Sequence, residues 1–247
     1  MKTTFIVLAV WFSVIAYVQA EPQTFNSTEL RTNLIELYTS EGCSSCPPAD
    51  RWMSQFKQDE RLWKAFVPVA FHVDYWNYIG WPDRFSNPEF GQRQRTYASK
   101  NKLSTVYTPG VMLNGKEWRE RQNKQALNLD QKNIVGQLDV AFDNDQIMAT
   151  FLTTNNNKTA FLNIAILGFD LITTVEAGEN RGRELQHDFV VLGYHRQAME
   201  RSETGYALTT KRPMLIEKAE KKGLAAWIDY ENDPSPVQAT GGWLASR

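Results

Sequence analysis

Cys43-Ser-Ser-Cys46-Pro47-Pro48 contains both cysteines of this 247-residue chain. Two thiols three positions apart do little to staple a domain, because closing so short a loop removes only about 2 kcal/mol of unfolded-state entropy. They can instead trade a disulfide with a partner, one sulfur attacking and the other resolving the mixed intermediate. The attacking species is the thiolate, so one cysteine must ionise more easily than a free one. A helix starting just after the pair supplies this through unpaired backbone N–H groups and a positive dipole end. Pro47 and Pro48 suit a first helical turn, but they lack N–H donors and bias Cys46 and Pro47 away from helical angles. Cys43, after the flexible Glu41-Gly42, is expected to be the more exposed and more acidic thiol, with Cys46 behind it. A buried reduced pair or an inert disulfide is the alternative.

Other residues bear on the same chemistry. Glu36 interrupts an apolar stretch shortly before Cys43. A buried carboxyl there would have a raised pKa and could act as a base, whereas an edge-strand glutamate would face water. His72 and Asp74 alternate onto one face of a strand, which reads as a structural His–Asp pair. Trp76 and Trp81, with Tyr75 and Tyr78, can form an aromatic contact surface for a peptide or simply fill core. Thr108-Pro109 precedes a strand, and such a proline can be cis, although only ~5% of X–Pro bonds are.

The surrounding elements must position these groups. Residues 33–39 read as a buried strand, 50–66 as an amphipathic helix, and 67–74 as a second strand. An aromatic loop follows over 75–85, then a helix over 88–103 and a strand over 111–114. Asn114-Gly115 signals a hairpin turn into a short strand over 116–118, and 122–138 reads as a closing helix. Residues 21–32 read as a loose polar lead-in. From 139 onward, short apolar runs alternate with Asn, Gly and charged clusters, the pattern of an antiparallel sandwich. The division is a signal peptide over 1–20, an α/β domain over 31–138 and a β-rich domain over 139–247.

Cys-x-x-Cys before the first helix and Thr-Pro before the third strand, in this element order, resemble the thioredoxin fold. The fold class expected is therefore an α/β thioredoxin-like domain followed by a mainly antiparallel, sandwich-like β domain. More closely, residues 36–50 (ELYTSEGCSSCPPAD), 72–81 (HVDYWNYIGW) and 178–188 (GENRGRELQHD) resemble a family of secreted bacterial thioredoxin-like proteins catalogued as domain of unknown function 1223. The resemblance implies catalytic roles for Cys43, Cys46 and a cis Pro109 facing them, with the Thr108 backbone holding substrate; Trp76 and Trp81 are candidate substrate contacts as aromatic anchors. It also implies that Glu36 occupies the place of a buried proton-shuttling acid, although one extra residue separates it from the cysteines. Within 178–188, the charged turn around Gly178 and Gly182 reads as a structural clasp on the first domain.

Residues 1–20 carry the marks of an export signal: Lys2, an apolar run over 5–18, and Val18-Gln19-Ala20. Position 21 is not Cys, and no later stretch is apolar enough to span a bilayer, so no stable membrane anchor is expected after cleavage. The expected location is periplasmic or secreted, where a cysteine pair can persist as a disulfide. With 27 basic and 28 acidic side chains the net charge is −1, which argues against nucleic acid or an anionic membrane as a general partner. The expected partner is a thiol- or disulfide-containing protein or a small thiol, with no cofactor. Copper held by Cys43, Cys46 and His72 is one rival, and a non-catalytic interaction protein is another. Structural zinc is poorly served by two cysteines and three histidines. No phosphate-binding, nucleophile-elbow, HExxH or dinucleotide motif is present.

Overall fold

In the computed structural model, the described residues are 21–119, 129, 132–143, 145–155 and 157–245. The signal peptide expected over 1–20 lies outside them, as does much of the helix expected over 122–138, whose described end is not helical, since β6 already begins at Gln137. The first half gives β1 (Gln23–Asn26), β2 (Asn33–Thr39), α1 (Pro47–Ser54), β3 (Phe66–His72), α2 (Pro88–Lys100), β4 (Gly110–Leu113) and β5 (Lys116–Glu117). After these come β6 (Gln137–Asp143), β7 (Gln146–Leu152), β8 (Ala160–Gly168), β9 (Leu171–Thr174) and β10 (Glu184–His187). The last are β11 (Val190–Ala198), β12 (Glu200–Ser202), β13 (Gly205–Lys211), β14 (Lys222–Tyr230) and β15 (Asp233–Trp243).

An eight-stranded sheet in the order β15-β14-β8-β11-β3-β2-β4-β5 runs through the molecule. Only β2/β3 and β3/β11 are parallel. A five-stranded antiparallel sheet, β1-β6-β7-β13-β12, packs on one end, and β9/β10 form a separate ribbon. Alternation along β8 and β14 sends Leu162, Ile164, Ile166, Leu224, Ala226 and Ile228 to the five-stranded sheet. Their neighbours Ala165, Leu167, Ala225 and Trp227 join the core of β2 and β3. That two-sided burial is why β8 and β14 are nearly continuous apolar runs, while β7, with one face exposed, alternates strictly.

This architecture corrects the expected fold class. The protein is mainly β, with two α-helices among the described residues, and not a thioredoxin-like α/β domain followed by a separate sandwich. The reason lies at the outer edge of β3. Instead of ending a small sheet it accepts β11, with Ala70 N–H donating to the Phe189 carbonyl at 2.8 Å, so strands from both halves share one sheet. The lead-in is likewise not loose: Phe25 is buried and β1 pairs with β6. The helix expected over 50–66 ends at Ser54, runs on as a 3-10 turn over Gln55–Gln58, and then stops. Trp63 adopts a left-handed φ of 67°, which a helix cannot contain, and Phe66 already belongs to β3. Asn87 caps α2 by accepting from Glu89 N–H, and the expected Asn114-Gly115 turn joins β4 to β5 with positive φ at both residues.

Candidate functional site

Cys43 and Cys46 form a disulfide where β2 runs into α1. The paired strand ends Thr39 and His72 place this loop at the carboxyl end of the parallel part of the sheet. Cys43 N–H donates to Ser40 O and Cys46 N–H to Cys43 O, both at 3.1 Å, so two successive turns carry the chain into the helix. Cys46 is the helix N-cap and has helical angles, contrary to the expected effect of the prolines. With Pro47 and Pro48 following, the first amide is that of Ala49, and it already donates to Cys46 O at 2.8 Å. The helix thus offers its dipole but few free N–H groups. The hydroxyl of Ser45, 3.4 Å from Cys43 Sγ, is the polar group next to a sulfur. Both cysteines are buried, at 1% and 0% exposure, so exposure does not rank them as expected, whereas Ser44 and Ser45 are exposed.

A buried polar cluster adjoins this loop. Thr39 donates its hydroxyl to Asp50 Oδ1 at 2.8 Å, and Asp50 lies one helical turn beyond Cys46. His72 Nδ1 pairs with Asp83 Oδ2 at 2.7 Å, not with Asp74, and Asp83 also accepts from the backbone of Glu41 and Phe85. Trp81 Nε1 donates to Glu41 Oε2 at 2.8 Å. His187, from β10, stands 3.6 Å from Glu41 Oε1 and 3.8 Å from Asp50 Oδ2, with its ring 5.0 Å from that of His72. Burial opposes charge on His72, but the Asp83 carboxylate outweighs it and raises the His72 pKa. Burial also pushes Asp50 up to about 6 and His187 down to about 3. Glu41 is raised by burial and then by the charge of Asp83. The cluster therefore holds one ion pair, one neutral imidazole, and carboxyls that retain protons to unusually high pH.

The turn between β9 and β10 closes over the loop. Asn180, fully buried, donates through Nδ2 to the carbonyls of Glu41 (2.8 Å) and Cys43 (3.0 Å), and Arg183 Nη1 holds Asn180 Oδ1 at 2.9 Å. Ser44 N–H donates to Glu179 Oε2 at 3.1 Å. Gly178 has φ +74°, and a Cβ there would meet Ile79 Cδ1 at 3.2 Å. The same Ile79 atom lies 3.3 Å from where a Gly42 Cβ would stand, so the segments holding Gly42, Ile79 and Gly178 interlock.

The remaining expected site residues divide into two groups. Trp76 packs against Gly42 and donates from Nε1 to Thr108 Oγ1 at 2.7 Å, tying the cysteine loop to the segment before β4. The Thr108–Pro109 bond is cis, and the Tyr38–Gly110 pairing puts Pro109 at the same sheet end as the disulfide. Trp81 reaches Glu41, as above. Glu36, by contrast, points away. Alternation along β2 sets it on the face opposite Thr39, where Arg93 of α2 grips its Oε1 at 2.6–2.7 Å. Arg93 also donates to Tyr97 and lies over the Phe71 and Trp227 rings, so this pair anchors α2. Glu36 is not brought to the cysteines, and its carboxyl is raised by burial despite Arg93. Reading the sequence for chemistry missed Glu41, Asp50, Asp83 and His187. Only Asp50 carried a usable signal, its i+4 spacing from Cys46. Among the described residues no His, Cys, Asp and Glu group is arranged to hold a metal. No described helix is long and apolar enough to cross a membrane.

Comparison with known proteins bears on the fold and the family. Protein AGR_C_4864 from Agrobacterium tumefaciens is similar in structure at 24% identity, with a TM-score of 0.60 over 90% of this chain and 97% of that one. HBP35 of Porphyromonas gingivalis is similar at 12% identity, with a TM-score of 0.55 over 88% of this chain and 76% of that one. Both likenesses concern the fold alone. No curated protein matches the chain. A family model described as a protein of unknown function, DUF1223, matches residues 34–229. That span takes in the disulfide, the buried cluster and the clasp, and the chain belongs to the DUF1223 family.

Proposed function

We propose that this is an exported thiol–disulfide exchange protein acting through Cys43 and Cys46. The observation that supports it is the convergence of residues 36–50, 72–81 and 178–188 on the chain's one disulfide. That disulfide sits at a strand end and a helix start, with a protonatable carboxyl one turn away. A stapling disulfide has no need of such surroundings. The export signal in residues 1–20 is consistent with a compartment in which the pair is oxidised at rest.

In the exchange, an external thiolate attacks Cys43 Sγ. The new sulfur–sulfur bond forms as the Cys43–Cys46 bond breaks, and Cys46 leaves as a thiolate. Asp50, one turn along α1, supplies the proton that neutralises it, since a buried thiolate without a partner is costly. A second external thiolate then attacks the mixed disulfide, releasing Cys43 and the oxidised partner. The whole converts two partner thiols and one protein disulfide into two protein thiols and one partner disulfide. The Ser45 hydroxyl stabilises the Cys43 thiolate. Because both sulfurs are buried, attack requires the Ser44–Ser45 segment or the turn above it to shift, so exchange is slower than at an open site.

The test uses single-cysteine variants and a small aromatic disulfide. Cys46→Ser should accumulate a stable mixed disulfide at Cys43, and Cys43→Ser should form far less of one at Cys46. Equal, slow labelling of both would favour the other reading of the burial, a disulfide that is purely structural.

A further inference from the structure

Beside the disulfide lies a cleft of about 420 Å3, within the range of small-molecule sites. One wall is the start of α1, with Pro47, Pro48 and Arg51, and the other is the start of β10, with Arg183 and Leu185. Ser44, between the two sulfurs in sequence, also lines it. The prolines and Leu185 make the walls apolar, and the two guanidiniums bring positive charge to a chain whose net charge is −1. Arg51 makes no hydrogen bond or ion pair among the described residues, and Arg183 bonds the neutral amide of Asn180. Glu184 is the one acidic side chain in the lining, against the two arginines, and the Glu179 carboxylate stands next to it on Ser44.

The Ser44 amide already shows what it accepts. The Ser44 N–H holds a carboxylate oxygen, that of Glu179 at 3.1 Å, and hydrogen bonding from the Ser44 hydroxyl and then its N–H lowers the Glu179 pKa. Glu179 is therefore an internal occupant that an incoming carboxylate can displace. We propose that the cleft is the subsite for a small thiol, or its disulfide, that carries a carboxylate. The carboxylate pairs with Arg51 and Arg183, the aliphatic part lies along Pro47, Pro48 and Leu185, and the sulfur is delivered toward Cys43. Arginine suits this role because its planar donors match a carboxylate in pairs. This substrate class rests on the exchange reading above. A protein thiol is not required by a cleft of this size.

Three thiols differing in charge test it: 3-mercaptopropionate, 2-mercaptoethanol and cysteamine, each reducing the oxidised full-length protein. Rates are normalised to thiolate concentration, so that thiol acidity does not enter. Two exposed arginine–carboxylate contacts predict a roughly fivefold preference for the anionic over the neutral thiol, with cysteamine slowest. The preference should shrink in high salt and fall toward unity in Arg51→Gln combined with Arg183→Gln. Since Arg183 also steadies Asn180, Arg51→Gln alone serves as a second variant and should lose about half the preference. Glu179→Gln should increase it by removing the internal competitor. Equal normalised rates in the wild type, or a preference that survives the double substitution, would overturn the anion subsite while leaving exchange intact. Failure of all three thiols to reduce the protein would overturn the exchange reading and the subsite together.

Discussion

Asp50 is the residue on which the proposed chemistry turns, and its burial has consequences that can be measured apart from exchange. Its pKa is raised from 3.8 to about 6 in the folded protein. A carboxyl shifted upward contributes stability that is fully present below pH 3.8 and is lost as pH rises through about 6. Asp50→Asn removes this loss: the side chain still accepts from Thr39 and can donate to His187 Nδ1, which is otherwise unpartnered. The variant should thus gain about 1–3 kcal/mol relative to wild type between pH 4 and pH 7, as followed by urea unfolding at several pH values. It should also be reduced by thiols tenfold or more slowly near neutral pH, because the departing Cys46 loses its proton source. A gain in stability with no change in rate would remove Asp50 from the mechanism. His187 acts in the opposite sense: its pKa, lowered to about 3, gives stability that is present above pH 6.5 and lost as pH falls through 3. Glu36 provides the contrast. Glu36→Gln breaks a buried ion pair with Arg93 and should cost about 3 kcal/mol, while the pH profile of disulfide reduction stays where it was.

At the scale of elements, the β9–β10 turn holds the cysteine loop in place, chiefly through the side-chain amide of Asn180. Asn180→Ala leaves the buried carbonyls of Glu41 and Cys43 without their shared donor, so a stability loss of about 1–3 kcal/mol is expected. The loosened loop should expose the disulfide, and reduction by neutral 2-mercaptoethanol should speed up several-fold. Stability loss accompanied by an unchanged rate would show that the turn is only a brace. Gly178→Ala should act in the same direction, since its φ of +74° and the nearby Ile79 leave no easy place for a methyl group. Much of this arrangement was legible in the sequence as separate pieces. The Cys-x-x-Cys pair, the aromatic loop and the Gly-flanked charged turn all stood out, because their residue types carry a strong local signal. What joins them did not stand out. His72 has Asp74 two positions away, yet its partner is Asp83, chosen by the path of the loop over residues 75–85.

At the scale of the molecule, strand and helix signals were readable one at a time, but their assembly was not. The run over residues 50–66 had helical spacing, yet the helix stops at Ser54 because Trp63 turns left-handed and Phe66 is needed in β3. The continuous apolar runs of β8 and β14 carried the sign of a sheet buried on both faces, but nothing local says that β11 joins β3. Such non-local pairings are invisible to periodicity, and they decide whether two halves fold apart or together. The shared sheet has a direct consequence. A fragment ending at residue 138 would lose β11 and expose the β3 edge together with the apolar faces covered by β8 and β14, so it should not fold by itself. Amide spectra with the dispersion of a folded protein from that fragment would contradict the pairing as an energetic necessity.

The central claim is that Cys43 and Cys46 exchange rather than staple, and the reduction potential of the pair tests it most directly. A loop of this length gains little from unfolded-state entropy. Exchange proteins span roughly −270 to −120 mV, whereas structural disulfides of exported proteins lie below about −300 mV. Equilibration of the full-length protein against redox buffers of defined potential, read by mass after alkylation, should give a value inside the exchange range. A value below about −300 mV would contradict the account and leave the disulfide as a fixed part of the fold.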